Sequence, residues 1–178
     1  AEDPVMFART SGTTGDAKYI PVTPTCQGRE HSDQIRTWLW HAKRAHPGIF
    51  RRRVISLVSP AVEGHVPCGL PFGSASGHIY KNMPSLVKGT YLIPYEVFEI
   101  EDYEAKYYAI MRLGIGADVS FVATANPSSI VKMCELANHH ADALLRDLHD
   151  GTLREDLHIP QEVRRLVLAR SRKDPERS

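Results

Sequence analysis

Two short apolar runs constrain the fold more than any other feature of this chain. The first, RVISLVSP, spans residues 53–60, and the second, DVSFVATA, spans residues 118–125. Compact apolar runs of this kind are typical of strands that are buried on both faces of a parallel sheet. Helical patterns alternate with them, so the sequence predicts an α/β fold with a mostly parallel sheet flanked by helices.

Three helices are predicted from their ends as well as from their apolar spacing. Thr23-Pro24 begins a helix that runs to about residue 46, where Pro47-Gly48 ends it. Asp102 caps a second helix that reaches about residue 113. The third and clearest helix begins at Asn126-Pro127 and ends at Gly151, with apolar residues at a period of 3.6.

The remaining segments are predicted with less regular structure. Residues 60–78 are rich in Pro, Gly and Ser and predict a long loop, and loops of this length are usually functional or mobile. Residues 89–100 are predicted to be extended. A last helix begins near Pro160 and fades into the charged segment 171–178.

The segment FARTSGTTGDAK, residues 7–18, lies between two extended-favouring stretches and predicts a strand, a Gly-rich turn and a second strand. Such a turn presents backbone N–H groups and hydroxyls to one small volume, which suits a phosphate. Lys18 adds a mobile positive charge. The alternative is an ordinary polar turn, since neither the P-loop spacing of the NTPases nor a dinucleotide fingerprint is present.

Composition narrows the class of protein. The net charge of +1 gives no electrostatic case for a nucleic acid or an anionic membrane as partner. Cys26, Cys68 and Cys134 are far apart and odd in number, which favours free thiols in a reducing cytosol over disulfides or a zinc site. No apolar run is long enough to span a membrane and no signal peptide is visible, so we expect a cytoplasmic protein.

The 178-residue chain begins without Met and enters the Gly-rich segment within ten residues. We therefore expect a piece of a longer protein. In this interpretation residues 1–170 are a portion of one domain, and residues 171–178 are a charged tail or a truncated continuation. Strands missing beside 53–59 and 118–125 would leave a sheet edge open, so a homo-oligomer formed through that edge is expected.

Several segments resemble a known protein family, which gives information that the spacing of residue types does not. Residues 7–18 resemble the phosphate-loop signature of the adenylate-forming, acyl-CoA synthetase-like superfamily. Within this superfamily, four further segments resemble the auxin-responsive promoter family of acyl-acid amido synthetases and are closer to its bacterial members than to the plant enzymes. The segments are KYIPVT, YEVFEIEDYEAKYYAIMRLGI, SFVATANPSSIVKM and LLRDLHDGTL. The resemblance covers roughly residues 5 to 155 and implies part of the large N-terminal domain of an adenylate-forming enzyme.

The resemblance implies a two-step reaction with MgATP. A carboxylic acid is adenylated with release of pyrophosphate, and an amino acid or other amine then forms the amide. Donors aimed at the phosphates stabilise the charge that builds on them, and none of the loop residues is a nucleophile. The residues implied to bind ATP are Thr10, Ser11, Gly12, Thr13, Thr14, Gly15 and Lys18.

Later ATP motifs of the family are missing before Ser178: an aromatic-rich Ser/Thr-Glu segment, a ribose-binding Asp and a Lys in a mobile C-terminal domain. By itself the chain is therefore not expected to catalyse the reaction. The alternative function is a non-catalytic binding or assembly module that keeps the adenylating-enzyme fold. The identities of the acid and the amine do not follow from the sequence.

In this family's architecture, the helix after the phosphate loop lines the acyl pocket. A helix over residues 25–46 places five side chains on one broad face. An Arg on that face would hold a second carboxylate or orient the acid, whereas the alternative is plain solvent exposure with the Trp in the core. The five residues are Arg29, Asp33, Arg36, Thr37 and Trp40.

Other candidate sites are weaker. His139 and His140 are adjacent on a helix, point about 100° apart, and have no acidic or Cys partner at ligand spacing, so no metal site is predicted. Cys68 would need a His base to act as a nucleophile. The segment Arg51-Arg52-Arg53 is either the solvated end of a strand or faces a phosphate. Three tyrosines, Tyr103, Tyr107 and Tyr108, are predicted to pack rather than to stack on bases.

Overall fold

The computed structural model describes residues 2–10 and 16–178. The chain forms two compact units, Ala1–Gly48 with Val58–Pro84 and Ile49–Leu57 with Ser85–Ser178. Each unit has its own small sheet. The described strands are β1 (Met6–Arg9), β2 (Tyr19–Val22), β3 (Arg53–Leu57), β4 (Gly64–His65), β5 (Pro71–Gly73) and β6 (Val119–Thr124).

Groups of helices follow groups of strands along the chain. A π-helical turn, Cys26–Glu30, leads directly into the first long α-helix. The described α-helices are α1 (His31–Ala45), α2 (Ala75–Lys81), α3 (Ser85–Lys88), α4 (Tyr95–Phe98), α5 (Tyr103–Ile115), α6 (Ser128–His139), α7 (Ala141–Asp150) and α8 (Gln161–Arg170). None of the helices in the described part of the chain has the length and apolarity needed to cross a lipid bilayer.

The sheet of the first unit has the order β2-β1-β5-β4 and is mixed. Strands β1 and β2 pair antiparallel, from Met6 opposite Val22 to Arg9 opposite Tyr19. Strand β5 runs parallel to β1, and β4 runs antiparallel to β5. The α/β class is confirmed, but the expectation of a mostly parallel sheet is wrong for this unit. The reason is that short connections join β1 to β2 and β4 to β5, and short connections make antiparallel pairs.

The sheet of the second unit is parallel. Strands β3 and β6 pair in register from Val54 opposite Phe121 to Leu57 opposite Thr124. The two apolar runs of the sequence are therefore parallel strands, as predicted. The prediction of a buried strand is wrong for β6, because all six of its residues are only partly buried. Helix α5 forms the centre of the core of this unit, with fully buried residues such as Ala109 and Ile110.

Several helix ends lie where the sequence predicts them. The Thr23 hydroxyl accepts a hydrogen bond from the Cys26 N–H at 3.3 Å. Asp102 Oδ1 accepts one from the Ala105 N–H at 2.8 Å, which caps α5. Gly151 ends α7 with a φ of 78°, a left-handed conformation that glycine adopts without strain.

The long helix predicted after Asn126 is wrong in one respect, because it is two helices. His140 separates α6 from α7 with φ −105° and ψ 20°. Its imidazole lies 2.9 Å from a Glu104 carboxylate oxygen and 3.1 Å from an Arg154 guanidinium nitrogen. These contacts come from distant parts of the chain, so the apolar period alone does not reveal the break.

Two irregular segments also differ from expectation. In residues 89–100, Tyr91 makes a single parallel bridge with Val54, and Pro94 then begins the short helix α4. This helix buries Val97 and Phe98 in the core, which an extended strand would not do. The predicted loop 60–78 instead contains β4, β5 and the start of α2.

A polar network is buried beneath the α5 core. Asp147 is 6% exposed, and its carboxylate accepts hydrogen bonds from the Tyr108 hydroxyl at 2.7 Å, the Thr152 hydroxyl at 2.7 Å and the Arg154 N–H at 2.9 Å. Burial, followed by the hydrogen bond to Asp147, raises the pKa of Tyr108. Packing was predicted for three tyrosines of α5. Tyr107 and Tyr108 are buried as predicted, whereas Tyr103 is 49% exposed.

Candidate functional site

Thr10 and Lys18 close the Gly-rich segment by hydrogen bonding to each other. The Thr10 N–H donates to the Lys18 carbonyl at 3.0 Å, and the Lys18 N–H donates to the Thr10 hydroxyl oxygen at 2.9 Å. The Thr10 hydroxyl therefore keeps its own hydrogen free to donate to a ligand. The pair joins the end of β1 to the start of β2.

The Thr10 end of β1 lies beside the end of β5. Strands β1 and β5 are parallel, so the residues that follow them, Thr10 and Ser74, lie at the same edge of the sheet. A cavity of about 330 Å³ is found there. Its lining residues are Arg9, Thr10, Ser59, Glu63 and Ser74. The carboxyl edge of parallel strands is the usual place for ligands in α/β folds.

Two glycines bring the serines of this cavity together. A Cβ at Gly77 would lie 2.0 Å from the Ser59 carbonyl oxygen, and one at Gly73 would lie 2.3 Å from the Ala61 carbonyl oxygen. Only glycine allows segment 59–61 to approach β5 and α2 so closely. The Ser74 N–H donates to the Pro60 carbonyl at 2.9 Å, which holds that segment in place.

Arg9 lines the cavity and is held in place by two contacts. Its guanidinium lies 3.1 Å from a Glu63 carboxylate oxygen and sits over the Phe72 ring at 5.9 Å from the ring centroid. Both side chains of the ion pair are partly exposed, so its contribution to stability is small, about 0–1 kcal/mol. Glu63 thus orients a cation next to the Gly-rich segment.

Five of the predicted phosphate-binding residues, Ser11, Gly12, Thr13, Thr14 and Gly15, lie outside the residues that the structure describes. Thr10 lines the cavity, and the exposed Lys18 is fixed through its backbone. Ser59, Glu63 and Ser74 were not singled out by sequence reasoning. The available signal was the composition of residues 60–78, which predicted a long loop, functional or mobile, that includes Glu63 and Ser74 but not Ser59.

Of the predicted acyl-site residues, Asp33, Arg36, Thr37 and Trp40 lie in α1, and Arg29 lies in the π-helical turn before it. Arg36 is paired with Asp33, and the Thr37 hydroxyl donates to the Asp33 carbonyl at 2.8 Å. All four polar residues, Arg29 included, are exposed. Trp40 is 56% exposed, so it does not lie in a core in this chain, contrary to the alternative that placed it there.

The Cys26 thiol, in the π-helical turn, is not activated by its neighbours. Cys26 Sγ lies 3.7 Å from His31 Nε2, but desolvation and the charge of Glu30 raise the pKa of the Cys26 thiol. Burial, with the charges of Lys81 and His31, lowers the pKa of His78, which contacts Gln27. A protonated thiol is a poor nucleophile. Within residues 2–10 and 16–178, no three His, Cys, Asp or Glu side chains form a group able to hold a metal ion.

The site is thus a set of hydrogen-bond donors and one oriented cation at the carboxyl edge of a mixed sheet. Hydroxyl groups, backbone N–H groups and a guanidinium are suited to binding an anion and stabilising charge on it. Among the described residues of the cavity, the one carboxylate, Glu63, is already engaged with Arg9. The fold is an α/β domain with a cavity lined by hydrogen-bond donors at the edge of its first sheet.

Comparison with known proteins gives the family. The model of the GH3 family N-terminal domain matches residues 1–178, and the chain belongs to this family. Two solved structures share the fold: a GH3.15 acyl acid amido synthetase (16% identity, TM-score 0.75) and AtGH3.15 acyl acid amido synthetase in complex with 2,4-DB (17% identity, TM-score 0.79). Each alignment covers 99% of this chain and 31% of the solved chain, so this chain spans about a third of their length. No match was found among curated proteins.

Proposed function

We propose that the protein containing this chain is an ATP-dependent acyl-acid amido synthetase, in which residues 10–18 bind the phosphates of ATP. Two facts support the proposal: membership of the GH3 family, and the names of the solved structures that share the fold. The identity to those structures is too low to transfer a substrate. The acid and the amine are therefore proposed only as classes, a carboxylic acid and an amino acid or other amine.

The observation that carries the proposal is the closure of the Gly-rich segment by Thr10 and Lys18 beside the cavity. An anion-binding loop needs its donors held in place before the ligand arrives, because an ordered donor loses less entropy on binding. The Arg9 guanidinium and the Ser74 hydroxyl line the same cavity. All of these groups suit a triphosphate.

In the proposed reaction a carboxylate oxygen attacks the α-phosphorus of ATP, and the bond to the pyrophosphate oxygen breaks. The amine nitrogen then attacks the carbonyl carbon, AMP leaves, and the nitrogen loses its proton to solvent. The residues of this chain hold and neutralise the phosphates while charge builds on the leaving pyrophosphate. No residue of the Gly-rich segment forms a covalent bond in either step.

Magnesium, when bound with ATP, would neutralise charge on the phosphate oxygens. The described cavity residues do not fit a magnesium site of their own, because Glu63 is paired with Arg9 and the remaining lining groups are hydroxyls and a guanidinium. We therefore assign no magnesium ligand to this chain.

The test is carboxylate-dependent exchange of pyrophosphate into ATP, measured with the full-length protein. The double substitution Ser11→Ala with Thr14→Ala should lower exchange at least tenfold, because each lost charge-assisted hydrogen bond contributes on the order of 1.5–3 kcal/mol. Ser129→Ala, which removes a hydroxyl from α6, is the matched control. Unchanged exchange in the double variant would remove the loop from the reaction, and absence of exchange with any acid would favour a non-catalytic binding module.

A further inference from the structure

Five arginines from two distant parts of the sequence line one cavity in the second unit. The cavity has a volume of about 440 Å³. A neighbouring cavity of about 620 Å³ shares three of the five and adds Lys88. We refer to the five as the arginine cluster: Arg51, Arg52, Arg53, Arg170 and Arg172.

We propose that the arginine cluster binds a small molecule carrying two or more linked phosphate groups. This site is built from residues that the proposed adenylation does not use. Arg53 is the first residue of β3, and Asp118 directly precedes β6, so the cluster lies at the amino ends of these parallel strands. The proposed ATP site belongs to the first unit and lies at the carboxyl ends of β1 and β5.

The charges at this cavity are strongly unbalanced. Among its lining residues the one carboxylate is Asp118, whose oxygens lie 3.3 Å from an Arg52 nitrogen and 3.5 Å from an Arg177 nitrogen. The whole chain has a net charge of only +1, so the cluster is a local excess and not part of a generally basic surface. Repulsion between so many cations is relieved when a multivalent anion binds among them.

The guanidinium groups are positioned but not saturated. Arg53 donates to the Gly89 carbonyl, and Arg170 Nη1 donates to the Leu92 carbonyl at 3.4 Å. Each guanidinium has five N–H donors, so most of them remain for a ligand. The Arg51 and Arg172 guanidiniums have no hydrogen-bonding or ion-pair partner among the described residues. Paired N–H groups match the oxygens of a phosphate.

A buried arginine supports the wall of the cavity. Arg112 is 0% exposed and donates from Nη2 to the Arg172 carbonyl at 3.0 Å, which fixes the backbone that carries the Arg172 side chain. Its Nη1 is buried with no hydrogen-bond partner in the described part of the chain. A Cβ at Gly116 would lie 3.4 Å from this Nη1, and Gly116 lines the cavity. A buried guanidinium with one unpartnered nitrogen therefore lies directly behind the wall.

The size of the site favours a small ligand over a nucleic acid. Cavities of about 300–1,000 Å³ are typical of small-molecule sites. A groove for single-stranded nucleic acid would offer rings on which bases stack. The Phe50 ring at this cavity is instead in edge contact with Phe121 at 6.2 Å between centroids. The convergence of five arginines on one cavity fits linked phosphates.

The experiment is calorimetric titration of the full-length protein with inorganic tripolyphosphate, orthophosphate and ATP. Because the Gly-rich segment is also proposed to bind phosphates, the titration is done in the Ser11→Ala, Thr14→Ala background as well as in the wild type. In that background tripolyphosphate should still bind, at least tenfold more tightly than orthophosphate, since several arginines engage it at once. Adding Arg51→Gln with Arg172→Gln should weaken that binding at least tenfold.

Arg165→Gln, an exposed arginine of α8 outside both cavities, is the matched control and should leave binding unchanged. Arg51→Lys with Arg172→Lys keeps the charge and should still lose affinity, because lysine lacks the paired N–H groups. Equal weakening by Arg165→Gln, or no weakening in the Gln double variant, would overturn the proposal. Tight binding of an oligonucleotide without binding of tripolyphosphate would overturn it in favour of a nucleic-acid surface. Because this experiment measures binding, its failure would not contradict the proposed function, which is tested separately by pyrophosphate exchange.

Discussion

Thr10 and Lys18 hydrogen-bond each other through both of their N–H groups, at 3.0 and 2.9 Å, across the base of the Gly-rich segment. One of the two acceptors is a side chain, the Thr10 hydroxyl. Thr10 thus has a structural role in joining the end of β1 to the start of β2. The same hydroxyl retains a hydrogen that it can donate to a ligand.

Removal of that hydroxyl should loosen the loop. Thr10→Val keeps the shape of the side chain but leaves the Lys18 N–H without its acceptor, a cost of about 1 kcal/mol or roughly fivefold in a binding constant. We expect the ATP concentration that gives half-maximal pyrophosphate exchange to rise by the same factor. Thr10→Ser keeps the acceptor and should behave like the wild type. Equal ATP dependence in all three proteins would show that the closure is irrelevant to binding.

The Lys18 side chain should matter less than the loop hydroxyls. Its ammonium is exposed, so solvent and cations partly replace its charge when it is removed. Lys18→Ala is therefore expected to lower exchange by a smaller factor than Ser11→Ala with Thr14→Ala. A larger effect of Lys18→Ala, measured side by side, would assign the main phosphate contact to the lysine.

Arg36 offers a test of the proposed acyl site. If α1 lines the acyl pocket in the full-length protein, Arg36→Ala should change the preference among acids and raise the Michaelis constant for a dicarboxylic acid most. Arg146→Ala, an exposed arginine of α7, is the control. An unaltered preference and Michaelis constant would mean that Arg36 serves only its surface pair with Asp33.

The buried network should dominate the stability of the second unit. Tyr108→Phe leaves Asp147 short of one of its three hydrogen bonds, and loss of a hydrogen bond to a charged group costs about 1.5–3 kcal/mol. Asp147→Ala should cost more, because Arg112 then loses its nearby negative charge. Tyr103→Phe, on the exposed side of the same helix, should change the free energy of unfolding by less than about 0.5 kcal/mol. Urea unfolding followed by circular dichroism measures all three.

Produced by itself, the 178-residue chain is expected to self-associate. No residue of β6 is fully buried, and among the described strands β6 pairs only with β3. A parallel strand with an open edge and an open face is an association hazard. Sedimentation should therefore give a mass well above 19.9 kDa. A stable monomer over a wide concentration range would show that this edge needs no cover.

Prediction from sequence succeeded where the information is local. The Asp102 cap, the end of α7 at Gly151 and the parallel strands β3 and β6 follow from neighbouring residues, period and composition. It failed at His140 and in residues 89–100. There the decisive contacts, with Arg154 and with the core around Val97 and Phe98, come from residues distant in sequence.

The sequence by itself determined the α/β class, the helix ends and the hairpin that presents the Gly-rich segment, because caps, turns and apolar periods depend on adjacent residues. Only the tertiary structure brought Ser59, Glu63 and Ser74 to the end of β1, and Arg51–Arg53 to the end of α8. Those groupings depend on strand order and on close backbone approaches such as that at Gly77. A chain's local propensities do not encode which distant segments will meet, since that choice is made by burial of the core as a whole.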